Sequence, residues 1–296
     1  HAFGAVLDNK DLIAACIVGD GEAETGPLAT SWHLNKFLNP KTDGIVLPIL
    51  HLNGYKISNP TILSRISEDE LLSLFWGYGW NPYLVEAPTT IELHKKMAST
   101  LDKIIKDIKK IQYNARYNNK VERVRWPMII LKTPKGWTGP KYVEGKKIEG
   151  TFRSHQVPIP LENDEELKQL EKWLKSYHPE ELFDENGKIK PYIKSIVPYN
   201  RMGASPYANG GKLLKELKVP SIEKYKVDVT HPGCIEKEDM RVLGEFIRDI
   251  IKENPNNFRA FGPDETMSNR LSHLFDTTSR VWYLNRKKDD EYLSPD

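Results

Sequence analysis

Apolar positions along the chain fall into short continuous runs that alternate with segments of helical spacing. The two clearest runs, at residues 12–18 and 44–52, each end in a glycine turn, Gly19-Asp20-Gly21 and Asn53-Gly54. Runs of this length between turn residues are typical of strands that are buried on both faces of a parallel sheet. Residues 24–38 have helical spacing, so the pattern predicts a strand–helix–strand unit with a right-handed crossover.

The same alternation continues through the first half of the chain. Strands are predicted at 83–86 and 128–131, and the apolar spacing between them predicts a long amphipathic helix at 91–111. This order of elements is typical of an α/β fold, in which a mostly parallel sheet carries helices on both faces.

The second half of the chain is richer in turn residues. It shows clear helical patterns at 165–177, where Asn163 or Asp164 is the expected cap, and at 237–253. Residues 257–261 are predicted to open a new strand.

Composition narrows the possible functions. The 296 residues are 39% hydrophobic and 28% charged, with a net charge of +2, so the chain is expected to be globular and to have no nucleic-acid partner. No apolar stretch reaches the ~20 residues that span a bilayer, so no membrane association is expected. Two cysteines, Cys16 and Cys234, suit a reducing cytoplasm. The chain begins at His1, close to a buried strand, and we expect it to be a piece of a longer protein.

The two glycine turns carry oxygen-bearing side chains at the carboxyl ends of strands, where ligands bind in an open parallel sheet. The crossover brings Asp20 and Asn53 side by side, so one carboxylate, one amide oxygen and a nearby backbone carbonyl are available to bind Mg²⁺ or Ca²⁺. Either motif alone is more often only a turn, and the combination carries the prediction. The sequence has no P-loop, dinucleotide-binding or zinc signature.

Longer strings around these turns resemble one enzyme family. The spacing from the Gly-Asp-Gly turn to the asparagine is similar to the thiamine diphosphate (ThDP) motif of transketolase-like enzymes, and five ordered strings resemble the phosphoketolase family in particular. The strings are GDGEAETGP at 19–27, HLNGYKI at 51–57, TPKGWT at 133–138, FRSHQVP at 152–158 and FGPDETMSNR at 261–270. The resemblance covers essentially the whole chain and implies a ThDP-binding fold.

The resemblance also implies a division of the chain. Residues 1–160 would form a diphosphate-binding domain without its amino-terminal part, residues 161–255 a connecting region, and residues 256–296 the start of a pyrimidine-binding domain. The glutamate that activates the cofactor and the family's amino-terminal histidines would lie outside this chain. We therefore expect the chain to be inactive in isolation.

Within the first of these domains, the resemblance assigns cofactor-binding residues. Asp20 and Asn53 would bind Mg²⁺ through side-chain oxygens, and Tyr55 would bind it through its backbone carbonyl. The ThDP diphosphate would be lined by Gly19, Gly21 and Glu22. Lys135 would reach the cofactor or substrate pocket, although a lysine after a strand is otherwise a common surface residue.

Catalytic and substrate-binding residues are implied in the later strings. His155 would move protons or stabilise oxyanions and contact substrate, because an imidazole can do both near neutral pH. Gln156 would hydrogen-bond the substrate, and Ser268 would help to hold the sugar phosphate. The competing structural roles are a histidine in a turn for His155 and a helix cap for Ser268.

The implied activity is the cleavage of xylulose 5-phosphate or fructose 6-phosphate by inorganic phosphate, which yields acetyl phosphate and a shorter aldose phosphate. Family members are cytosolic homodimers or larger oligomers. The main alternative is transketolase-type transfer of the two-carbon unit to a second aldose. A non-catalytic homologue should lack Asp20 or Asn53, and both are present. A purely structural α/β domain is the remaining alternative.

Overall fold

A four-stranded parallel sheet forms the centre of the first half of the chain. The computed structural model describes residues 1–120, 123–155, 158–196, 204, 206, 215–262 and 264–295. The strands are β1 (Ile13–Gly19), β2 (Ile45–Leu52), β3 (Trp80–Val85) and β4 (Trp126–Lys132), in the order β1-β2-β4-β3. Each pairing is parallel, which confirms the predicted α/β fold.

Helices cover both faces of this sheet. Trp80 and Tyr83 point to opposite faces of β3 because they are an odd number of positions apart. The Trp80 Nε1 donates to the backbone carbonyl of Trp32, in the segment that follows β1, at 3.0 Å. The Tyr83 hydroxyl donates at 2.5 Å to Asp107, which lies in the long helix α5 (Thr90–Tyr117). The segment that contains Trp32 and helix α5 therefore lie on opposite faces of the sheet.

The longer helices of this unit begin at side-chain caps. Helix α1 (Ala2–Val6) precedes β1, α4 (Glu68–Gly77) precedes β3, and α5 connects β3 to β4. Ser67 accepts a hydrogen bond from Glu70 N at the start of α4, and Thr89 accepts one from Glu92 N at the start of α5. The predicted helix at 91–111 is confirmed and extends six residues further.

The segment between β1 and β2 is not the single helix that was predicted at 24–38. It consists of α2 (Asp20–Ala23), α3 (Gly26–Ser31) and a 3₁₀ helix (Trp32–Phe37). Gly26 has φ +54°, a left-handed conformation that interrupts a right-handed helix between α2 and α3. The buried Trp32 ring then folds back, donates to the Ala23 carbonyl at 3.0 Å and packs edge-on against Phe75. Packing against the core thus overrides the helical spacing.

After β4 the chain forms small elements around a separate apolar cluster. The hairpin strands β5 (Tyr142–Val143) and β6 (Lys146–Lys147) are followed by α6 (Asp164–Lys175), α7 (Pro179–Leu182) and α8 (Pro191–Ile196). Asn163 caps α6 by accepting from Glu166 N at 3.0 Å, as predicted. Val143, Ile148 and Ile159 form the buried cluster.

The last part of the chain is built on helix α9 (Asp239–Glu253), which confirms the predicted helix at 237–253 within two residues. The predicted strand at 257–261 is wrong, because residues 258–262 are irregular and the Phe261 side chain is 82% exposed. A strand needs a neighbouring strand for its hydrogen bonds, and no strand of the described chain pairs with this stretch. Short strands β7 (Arg280–Val281) and β8 (Leu293–Ser294) pair with each other near the end of the chain.

An ion-pair cluster joins this last part to the sheet unit. Arg259 Nη2 lies 2.6 Å from Asp8 Oδ1 and 3.4 Å from Asp43 Oδ1. Asp43 is completely buried before β2 and also accepts hydrogen bonds from the backbone N–H groups of Asp8 and Asn39.

The domain limits at residues 160 and 255 stay a prediction. Across the described ranges, the structure has no helix that is both long and apolar enough to cross a bilayer.

Candidate functional site

The carboxyl ends of β1 and β2 lie next to each other, as the sequence predicts. The pairing register aligns Gly19 with His51, and Asp20 begins α2 immediately after β1. The turn after β2 therefore faces Asp20, and the structure joins the two turns by a hydrogen bond: Asp20 Oδ2 accepts from Gly54 N at 2.7 Å.

The Asp20 carboxylate is buried and held by three donors. Besides the Gly54 N–H, Oδ2 accepts from the hydroxyl of Thr61 at 3.0 Å, and Oδ1 accepts from Gly21 N at 3.0 Å. The side chain is 1% exposed. A carboxylate has about four lone-pair sites, so Oδ1 keeps a free acceptor position.

Residues 53–64 form a folded loop, called here the 53–64 loop, that presents Asn53 and Tyr55 beside Asp20. Thr61 N donates to the Gly54 carbonyl at 3.2 Å, and Ser64 Oγ donates to the same oxygen at 3.1 Å. Gly54 has φ +99°, which L-residues with side chains rarely adopt. The loop is thus closed by its own hydrogen bonds.

Glu24 makes a second connection between the two turns. Its Oε1 lies 2.6 Å from Lys56 Nζ, and its Oε2 accepts from Leu63 N at 3.1 Å. Burial raises the pKa of Glu24, but the hydrogen bonds from Lys56 and the backbone outweigh burial and hold that pKa below its ordinary value. The carboxylate therefore stays charged and holds both ends of the 53–64 loop.

Lys135, from the turn after β4, reaches the same loop. Its Nζ donates to the backbone carbonyls of Tyr55 at 2.9 Å and Lys56 at 2.7 Å. Burial lowers the pKa of the Lys135 ammonium, and the negative charge of Asp20 offsets part of that effect. The turns after β1, β2 and β4 are therefore in contact at one edge of the sheet.

The oxygen atoms at this edge suit a hard divalent cation. Asp20 offers a carboxylate oxygen, Asn53 an amide oxygen that accepts a hydrogen bond from Tyr55 N at 3.2 Å, and Tyr55 a backbone carbonyl. Such oxygens are the ligands that Mg²⁺ prefers, usually completed by phosphate and water. Within the described ranges, the structure has no cluster of three His, Cys, Asp or Glu side chains that could hold a metal.

The residues assigned to the diphosphate lie around the Asp20 turn. Gly19 and Glu22 are exposed, and a methyl group added to Gly19 would meet no atom within 4 Å, so space is open above the strand end. A methyl group on Gly21 would lie 3.1 Å from Lys56 Cγ, so the backbone of this turn passes close to the 53–64 loop. These features are compatible with an approaching anionic group.

His155 lies in a turn that packs against the Lys135 turn. Gly150 N donates to the Lys135 carbonyl at 2.7 Å, and a methyl group added to Gly136 would lie 2.4 Å from Ser154 Cβ. The imidazole of His155 is exposed, immediately after this contact. Gln156 lies outside the described residues.

The described contacts of Ser268 lie within its own segment and not at this edge of the sheet. Its hydroxyl donates to the Glu265 carbonyl at 3.2 Å, within the turn. The segment instead packs on α9, where Gly244 lies against Arg270 and the guanidinium of Arg270 donates to Glu238 at 2.9 Å. The assignment of Ser268 to a sugar phosphate stays a prediction.

Three residues that position the site were not singled out from the sequence: Thr61, Glu24 and Lys56. Glu24 and Lys56 lie inside the quoted strings, and their opposite charges in two adjacent turns were a usable signal. Thr61 gave no signal, because a lone threonine in a loop has no pattern that predicts a bond to a distant carboxylate.

Comparison with known proteins extends the likeness over the whole chain. Residues 1–213 match the family model described as "XFP N-terminal domain", and residues 241–296 match that of "D-xylulose 5-phosphate/D-fructose 6-phosphate phosphoketolase". Three curated relatives are described as "Probable phosphoketolase": those of Clostridium acetobutylicum, Nitrosomonas europaea and Rhodopirellula baltica, at 59%, 57% and 57% identity. Each alignment covers 100% of this chain and 38% of the relative, so the chain spans well under half of their length.

Proposed function

Since the chain belongs to the phosphoketolase family, we propose that it provides the diphosphate- and Mg²⁺-binding half of a ThDP-dependent carbon–carbon lyase. The observation that carries the proposal is the 2.7 Å hydrogen bond from Gly54 N to Asp20 Oδ2. It brings the carboxylate of one turn to the asparagine turn of the next strand. The carboxylate is buried at the strand end where a ligand would bind, and it keeps an acceptor position free for a cation.

The residues of the chain would act by binding and orientation. Asp20, Asn53 and the Tyr55 carbonyl would coordinate Mg²⁺, and the ion would neutralise the diphosphate of the cofactor. When bound, ThDP supplies the electron sink for carbon–carbon cleavage. Lys135 would supply a further positive charge near the diphosphate or substrate, and the exposed imidazole of His155 would exchange protons with substrate groups.

In the whole enzyme we propose phosphorolytic cleavage of a ketose phosphate. Xylulose 5-phosphate and inorganic phosphate would give acetyl phosphate, glyceraldehyde 3-phosphate and water, and fructose 6-phosphate would give erythrose 4-phosphate in place of the triose. Gln156 and Ser268 would contact the sugar phosphate. We further propose a cytoplasmic enzyme that works as a homodimer or larger oligomer.

The cofactor half of this proposal is tested by binding. Calorimetric titration of ThDP into the chain with Mg²⁺ should show affinity that is lost with EDTA. Asp20→Ala and Asn53→Ala should each weaken Mg²⁺-dependent binding by at least about tenfold, because each removes one of three protein ligands. Asp11→Ala is the control, since Asp11 is exposed and pairs with Arg116 away from this edge. Unchanged binding in both site variants would refute the metal assignment.

The reaction itself is tested with the full-length enzyme. ThDP, Mg²⁺, phosphate and xylulose 5-phosphate should give acetyl phosphate, detected as its hydroxamate. His155→Ala should lower kcat by about 10²-fold or more if the imidazole moves a proton in the reaction. Transfer of the two-carbon unit to an added aldose, without acetyl phosphate, would instead establish the transketolase-type reaction.

A further inference from the structure

The ammonium group of Lys135 lies where a bound cation would be expected. It donates to the Tyr55 carbonyl at 2.9 Å, and this carbonyl is one of the three oxygens assigned to Mg²⁺. It also donates to the next carbonyl of the same loop, that of Lys56, at 2.7 Å. Both contacts come from one side chain of a different turn.

The charge balance around Lys135 supports this interpretation. Asp20 carries a buried carboxylate whose three hydrogen-bond donors are all neutral groups. A buried carboxylate is costly without a nearby positive charge. The negative charge of Asp20 acts on the Lys135 ammonium. Lys135 therefore supplies a positive charge that offsets part of the cost of the buried Asp20 carboxylate.

On the basis of the proposed Mg²⁺ site, we infer that Lys135 is an internal substitute for the metal: its ammonium holds the Tyr55 carbonyl in the metal-free protein and leaves when the ion binds. The 53–64 loop then keeps one geometry in both states. The ion finds its ligands already arranged, and its binding energy is reduced by the cost of displacing the ammonium.

Exchange follows from the repulsion between two like charges at the Tyr55 oxygen, since the two lone pairs of a carbonyl do not by themselves exclude a second cation. A Mg²⁺ ion would lie about 2.0–2.1 Å from that oxygen. An ammonium 2.9 Å from the same atom would then lie beside a divalent charge of the same sign. The flexible four-carbon stem of lysine allows the ammonium to move away while the backbone of the turn stays in place.

The inference predicts that removal of the ammonium strengthens metal binding. Mn²⁺ alone is titrated into the chain, and free Mn²⁺ is followed by electron paramagnetic resonance. Lys135→Met should bind Mn²⁺ about tenfold more tightly than the wild type, equivalent to about 1.4 kcal/mol, because no charged donor has to be displaced. Lys135→Arg keeps a cation and should not bind more tightly.

Thermal unfolding gives a second measurement. Without metal, Lys135→Met should have a lower Tm than the wild type because the buried Asp20 loses its counter-cation. Saturating Mn²⁺ should raise the Tm of the variant by more than it raises that of the wild type. Lys96→Met is the matched control. Lys96 Nζ also donates to a backbone carbonyl, that of Glu86, at 3.1 Å, but it does so on an exposed surface.

The outcomes separate this inference from the function on which it rests. Failure of the wild type and of every variant to bind Mn²⁺ would overturn the proposed metal site and the inference with it. Wild-type binding together with equal or weaker binding by Lys135→Met would overturn the inference alone. Lys135→Gln, whose neutral amide can still donate to a carbonyl, replaces the Met variant if that variant does not fold.

Discussion

Thr61→Val tests whether the buried carboxylate of Asp20 depends on the hydroxyl that the sequence pattern did not reveal. The Thr61 side chain is completely buried, and its Oγ1 donates to Asp20 Oδ2 at 3.0 Å. Valine has nearly the same shape as threonine but has no hydroxyl group. The substitution therefore removes one hydrogen bond without opening a cavity.

The expected loss of stability follows from the number and charge of the remaining donors. A hydrogen bond to a charged group contributes about 1.5–3 kcal/mol. The N–H groups of Gly21 and Gly54 still bind the carboxylate in the variant, so Asp20 is not left without partners. We therefore expect a loss near the lower end, about 1.5–2 kcal/mol in the free energy of unfolding.

Urea unfolding followed by tryptophan fluorescence measures this change. Thr30→Val is the matched control, because the exposed Thr30 hydroxyl donates to the nearby Pro27 carbonyl at 2.8 Å, and a change within about 0.5 kcal/mol is expected. A double-mutant cycle with Asp20→Asn should show a coupling of about 1 kcal/mol. A Thr61→Val effect no larger than that of Thr30→Val, with no coupling, would show that the hydroxyl does not support Asp20.

Three further substitutions, one of them with a control, test the packing of the sheet unit away from the candidate site. Ile108→Ala should cost about 2–5 kcal/mol because the side chain is fully buried in α5, whereas Ile91→Ala, on the exposed first turn, should change stability little by the same urea assay. Gly44→Ala should strongly lower the Tm, since its methyl group would lie 2.3 Å from a backbone carbonyl oxygen before β1. Burial raises the pKa of the Asp43 carboxyl, so the folded state binds the Asp43 proton more tightly than the unfolded state does. The contribution of Asp43 to stability therefore falls as the pH rises from the ordinary pKa of an aspartate through the raised pKa of Asp43. The positive charge of Arg259 limits this rise in the pKa of Asp43, and Arg259→Met removes it. We expect the substitution to lower the free energy of unfolding by about 3 kcal/mol near pH 7 and by clearly less near pH 4.5. An equal loss at both pH values would refute this account.

The strands could be predicted from the sequence because each is a short apolar run between turn residues. The run at 44–52 became β2, and the run at 128–131 became the centre of β4. The strand order could not be predicted in the same way. β4 lies between β2 and β3, and that placement depends on contacts between residues far apart in the chain. Periodicity reports which face is apolar but carries no information about the neighbouring strand.

The errors in the prediction have physical causes that the structure identifies. The pattern at 24–38 has helical spacing, yet Gly26 adopts a left-handed conformation and Trp32 turns into the core, so two short helices and a 3₁₀ segment replace one helix. The stretch at 257–261 has the composition of a strand but has no partner strand in the described chain. In both cases tertiary packing decides the conformation, and single-sequence spacing does not contain it.

At the candidate site, the sequence located the turns but not the bonds between them. The positions of Asp20 and Asn53 follow from two strand ends in a parallel sheet. The tie from Glu24 to Lys56 and the reach of Lys135 across to the Tyr55 carbonyl require the distances in the folded chain. Long side chains such as lysine can point in many directions, so their partners cannot be deduced from position alone.

These bonds give Asp20 two separate roles. Its carboxylate accepts three hydrogen bonds and thereby holds the loop that presents the other ligands, while one acceptor position stays free for a cation. Among the described residues, the side-chain oxygen of Asn53 accepts one hydrogen bond, from Tyr55 N. Loss of metal binding in Asp20→Ala therefore combines lost coordination with a disturbed loop. Asn53→Ala removes one ligand and a single hydrogen bond, that from Tyr55 N, so the same loss with stability retained would come mainly from coordination, and the asparagine variant is the sharper test of a site that is arranged before its metal arrives.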